Sequence, residues 1–171
     1  TGIEGNGVEA HIIPRSFYSI DPNEKRPTKL YSNKEKTYPK RSPVGIYDKS
    51  IVTEEGERIF SPWDDYANEL LLERKSEFGH LGNKDNQIAF QIENYDYSYL
   101  KLFFLSVLWR ASVSSHYFFN RVKLGPHESV IKKALLNSDP GKSDWYSVVL
   151  ARWSDAEAGV GMIDPHRTKF S

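Results

Sequence analysis

A histidine at the end of a short apolar run, three residues ahead of a proline, is the first arrangement in this chain able to do chemistry. It lies in Glu9-Ala10-His11-Ile12-Ile13-Pro14-Arg15-Ser16-Phe17. Pro14 has no N–H to offer a central strand, so the chain must leave the sheet there. His11 then falls at a strand end, where a side chain can face a cleft. An imidazole titrates near neutrality and suits proton transfer, although a lone histidine is more often just a hydrogen-bonded residue of a half-buried strand. The charge pattern downstream raises the chemical reading. Residues 24–49 carry eight Lys/Arg against three acids, and residues 53–77 carry eight acids against three bases. A basic loop beside an acidic segment can hold phosphate with one and a divalent cation with the other. Two solvated faces of opposite sign are the plainer alternative.

These groups need elements to place them. Val8 to Ile13 reads as a strand. Four prolines among Asn, Ser, Thr and Lys make residues 19–43 a long exposed loop. Val44 to Val52 is a second strand. Ser61-Pro62-Trp63-Asp64 carries an N-cap, a first-turn proline and an acid, and predicts a helix from there to about Ser76. Gly79, Gly82 and the polar residues to Asn86 mark the best boundary, giving units 1–80 and 81–171 packed together as one. Ile88 to Ile92 is a short strand. Tyr95 to Val122 is a long helix whose apolar residues cover most of its circumference, so it is central. Gly125-Pro126 restarts the chain as an amphipathic helix from about His127 to Asn137. Trp145 to Trp153 and Gly161-Met162-Ile163 are expected to pair as a C-terminal β-hairpin.

The totals exclude several classes. Lys and Arg together equal Asp and Glu at 23 each, so no global field draws the molecule to nucleic acid or membrane. There is no cysteine, which rules out disulfides and thiolate zinc sites and suits a cytoplasmic protein. No secretory signal is legible, although Thr1 is not an initiator methionine. The longest apolar run, Leu100 to Val113, contains Arg110 and is too short to span a bilayer. His80, His116, His127 and His166 show no mutual ligand spacing and read as structural or exposed.

A strand ending in His-x-x-Pro, then a loop, a second strand and a helix, resembles the HNH (ββα-metal, His-Me finger) endonuclease superfamily. The resemblance rests on Thr1-Gly2 with Val8 to Ser16, on Gly45-Ile46-Tyr47-Asp48-Lys49-Ser50-Ile51-Val52, and on Glu57 with Trp63-Asp64-Asp65-Tyr66-Ala67. It covers residues 1 to about 75. Residues 95–137 look like the helical extension of uncharacterised bacterial and phage proteins that carry such a motif. The resemblance implies an α+β fold, with an N-terminal ββα finger packed on a helical region. It implies metal-dependent hydrolysis of phosphodiester bonds in nucleic acid, with DNA the expected substrate, and no membrane partner. His11 would be the general base. The metal ligands would come from Glu57, Asp64, Asp65 and Asn68, whose hard oxygens favour magnesium or manganese. Acids in a first helical turn also stabilise the helix dipole, which is the bland account of Asp64 and Asp65. Arg15, Lys40 and Arg41 are candidates for phosphate contact. The chain departs from the family at three places. Thr53 and Gly56 stand where many relatives have the knuckle cysteines, so no structural zinc is held through cysteine. Ser50 falls near the asparagine that orients the base, and Ala10 stands where other branches place an acid. The rival reading is therefore a protein that keeps the fold and binds nucleic acid or a protein partner without cleavage.

Overall fold

The computed structural model describes residues 7–18, 28–32, 36–42, 44–83, 86–150 and 161–163, and their fold is α+β. The first strand, β1 (Ala10–His11), is shorter than the apolar run that encodes it. β2 (Lys29–Tyr31) and β3 (Lys40–Arg41) pair antiparallel inside the segment expected to be loop throughout. β4 (Tyr47–Asp48) pairs antiparallel with β1, setting His11 opposite Tyr47 and Ala10 opposite Asp48. A bridge between Gly7 and Thr53 extends this contact to the foot of the first helix.

That helix, α1 (Glu54–Asn68), begins eight positions before the expected Ser61, because Thr53 is the cap: its hydroxyl accepts from the Gly56 N–H at 3.3 Å. Glu54, Glu55 and Glu57 occupy the first turn, where carboxylates favour the helix N-terminus. Pro62 sits inside the helix rather than at its start. Its missing N–H withholds one bond, to the carbonyl of the exposed Arg58, which faces water. The buried face is Gly56, Phe60, Trp63, Ala67 and Leu70, spaced three and four apart. The chain then loosens into a π turn (Glu69–Glu73) and a 3-10 turn (Arg74–Glu77).

β5 (Gly79–Asn83) and β6 (Asn86–Gln91) form a hairpin where a boundary was expected. α2 (Tyr97–Val113) is capped by Asp96, whose carboxylate accepts from the Tyr99 N–H at 3.0 Å. It stops nine residues short of the expectation: Ser114 is extended, and a 3-10 turn covers Tyr117–Phe119. α2 is buried on nearly all sides, as its sequence requires. Leu102, Phe103, Leu105 and Trp109 join Ile12, Ile46, Phe60 and Trp63 in one core drawn from both halves of the chain. α3 (His127–Leu136) adds Ile131 and Leu135 to it. Residues 145–150 are a turn and irregular chain instead of a strand, and 151–153 lie outside the described residues. β7 (Gly161–Ile163) pairs in parallel with β2, giving a three-stranded sheet in the order β3-β2-β7. Among the described residues no helix is long and apolar enough to cross a membrane.

Candidate active site

His11 closes β1 and is half-buried. Its Nε2 lies 2.9 Å from the carbonyl oxygen of Val44. A carbonyl can only accept, so Nε2 donates the proton of this bond and Nδ1 is the nitrogen left over for other chemistry. The turn holding that carbonyl is built for one residue type. Gly45 has φ +79°, and a Cβ there would stand 2.6 Å from the Tyr18 ring. The Ser42 hydroxyl donates to the Gly45 carbonyl at 2.9 Å, and the Ile12 N–H reaches the Ile46 carbonyl at 3.1 Å. The imidazole is thus oriented by backbone. Ser50, expected near that role, instead turns its N–H and hydroxyl to Asp48 at 2.9 and 2.6 Å.

Two acids of α1 come into this region in different states. Asp64 is gripped by Arg110 of α2 through two parallel bonds of 2.9 and 2.7 Å. The guanidinium is wholly buried, donates also to the His11 carbonyl at 2.9 Å, and lies over the Phe60 ring at 5.2 Å. Burial pushes the Asp64 carboxyl above its ordinary pKa, against the opposing charge and bonds of Arg110. Among the described residues Glu57 has no such partner, and its Oε2 is a buried oxygen that accepts no hydrogen bond. Burial raises its pKa; Arg110 and His11 pull it down, and Asp64 pushes it up. His11, Glu57, Asp64 and Arg110 therefore form one electrostatic group.

Below this group, Asp48 acts as a hub. Its Oδ2 accepts from the Ser114 hydroxyl at 3.0 Å, the Ser115 N–H at 2.8 Å and the Ser115 hydroxyl at 2.9 Å. Ser50 supplies two more bonds to Oδ1. Burial alone would raise this carboxyl, yet the bonds from Ser50 and Ser115 outweigh it and hold the pKa far below the ordinary range. Asp48 thereby ties β4 to the end of α2.

The other candidates are placed apart from the imidazole's partners. Asp65 is exposed, and Asn68 donates to Glu73 at 2.7 Å. Arg15 and Arg41 are exposed. The Lys40 ammonium stands 4.6 Å over the Tyr117 ring, beside His116, which caps the 3-10 turn. Among the described residues no three His, Cys, Asp or Glu side chains form a ready-made metal cage. Magnesium commonly uses only one or two carboxylates and completes its shell with water and substrate oxygens. Glu57, with an orphaned buried oxygen, fits that use; Asp64, saturated by Arg110, does not. Sequence reasoning named Glu57 but missed Val44, Asp48 and Arg110. The signal for Arg110 was present as a cation in the middle of an apolar run, where burial calls for a carboxylate partner. Comparisons of the chain with family models, with curated proteins and with solved structures found no match.

Proposed function

We propose that this protein is a metal-dependent nuclease of the cytoplasm that hydrolyses phosphodiester bonds in nucleic acid, with DNA as substrate. The observation that supports the reading is the pairing of an oriented imidazole, His11, with a half-buried carboxylate, Glu57, whose Oε2 is buried and accepts no hydrogen bond among the described residues. His11 Nδ1 takes the proton of the attacking water, and the Val44 carbonyl stabilises the imidazolium that forms by accepting from Nε2. Glu57 would hold the divalent cation, and Arg110 keeps Asp64 and the His11 backbone in place. A magnesium or manganese held there would supply positive charge to stabilise the scissile phosphate and the leaving oxygen.

Plasmid nicking tests this directly. Wild type should nick in magnesium or manganese, and His11→Ala should lose about 10²- to 10⁴-fold in rate, the span of a general base, with its melting temperature nearly unchanged. Absence of nicking by the wild type across divalent metals would remove the hydrolase reading. A second reading is favoured by the engagement of Asp64 with Arg110: a non-cleaving protein that keeps the scaffold and binds nucleic acid. Affinity falling steeply with salt in a protein that never nicks would select it.

A further inference from the structure

Away from His11, a cavity of about 360 Å³ opens between the start of α2 and the chain after α3. Tyr95, Tyr97 and Phe104 line one side, and Ser143, Ser147 and Leu150 line the other. Lys101 also lines it, and only 4% of that residue is exposed. The ammonium donates to the carbonyls of Trp145 (2.6 Å) and Tyr146 and, among the described residues, has no carboxylate partner. Three donors meet two acceptors, so one N–H and a full positive charge are left without a counter-group. Burying an ammonium this way is costly, and natural proteins nearly always pair it. Burial accordingly pushes its pKa down.

A purely structural tie is a poor account of this expense. The 141–146 turn already has two other anchors. Gly141, at φ +69°, lets the Trp145 ring pack where a Cβ would stand 2.3 Å from it. The Tyr146 hydroxyl bonds His127 Nδ1 at 2.6 Å. An anion would balance this charge, and the walls say which kind: aromatic rings offer stacking faces, and Ser143 and Ser147 of the lining offer hydroxyls. We propose that this cavity binds a small organic anion with a planar ring, of nucleoside monophosphate or aryl carboxylate size, its anionic group on Lys101 and its ring against Tyr95, Tyr97 and Phe104. The site is independent of the His11 chemistry.

Calorimetric titration of the full chain tests it with AMP, benzoate, adenosine and inorganic phosphate as probes. AMP or benzoate should bind at one site per chain, with AMP tighter if the ligand is a phosphate and benzoate tighter if it is a carboxylate. Adenosine and inorganic phosphate should each bind at least tenfold more weakly than the better probe. Lys101→Met should lose at least tenfold. Because that variant also removes bonds to the turn, Ser147→Trp serves as the second: it fills the cavity from an exposed position and should abolish binding at an unchanged melting temperature. No binding of either anion, equal binding of adenosine, or full affinity in Ser147→Trp overturns the proposal.

Discussion

Arg110 and Asp64 face each other as two parallel hydrogen bonds, joining α2 to α1 in the interior. Removing one partner strands the other. Arg110→Met is expected to destabilise by about 3–5 kcal/mol, because Asp64 and the His11 carbonyl lose their donor together. Asp64→Asn should cost less, since an amide still accepts one bond. Urea unfolding of the two variants and of the Arg110→Met/Asp64→Leu pair measures this. The pair should recover much of the loss.

Glu57 should behave in the opposite sense. Its folded pKa is raised, so the stability present below the ordinary carboxylate range is lost as pH rises through the raised value. Glu57→Gln is therefore expected to stabilise by about 1 kcal/mol at neutral pH, with the advantage shrinking in acid. Manganese should raise the melting temperature of wild type but not of Glu57→Gln. At a hundred times the dissociation constant the gain is about 2.7 kcal/mol. Scanning calorimetry with and without the metal reads both effects.

Asp48 sets a pH limit. Its folded pKa is depressed, so its contribution is full above the unfolded value of about 4 and is lost as pH falls toward the folded one. Stability measured by urea titration should decline from about pH 4 downward in wild type, and far less in Asp48→Asn. That variant should already be weaker at pH 7 by about 2–4 kcal/mol, through the loss of charge-assisted bonds.

Gly45 controls the ring of His11 indirectly. Gly45→Ala combines a left-handed φ with a collision against Tyr18, and is expected to cost on the order of 1–3 kcal/mol. The shifted turn should withdraw the Val44 carbonyl, which NMR would register as loss of the His11 Nε2 hydrogen bond.

The legible parts of this molecule were those written in local patterns. His11 at the end of β1, followed by a turn at Pro14, needed only the proline to be placed. The central position of α2 followed from apolar residues on all sides. Where α1 begins was misread, since Ser61-Pro62 offers a complete start signal while Thr53 caps the helix two turns earlier. Propensity at one site lost to the burial of Gly56 and Phe60 on a continuous face. β6 matches the short strand expected over Ile88 to Ile92, but its partner β5 was hidden behind glycines that read as a boundary. Of the candidate site, His11 stands out by its type and its place ahead of Pro14, whereas Glu57 entered only through the family resemblance. Asp48 and Arg110 act through partners 66 and 46 positions away, and no local pattern reports such distances.

The parallel seat of β7 on β2 has a consequence for synthesis. β2 waits for this neighbour until the whole of the intervening chain, α1 to α3 included, has been made. During that interval the backbone edge of Lys29–Tyr31 is open to any extended segment nearby, so slow translation or early termination should favour aggregates seeded at that edge.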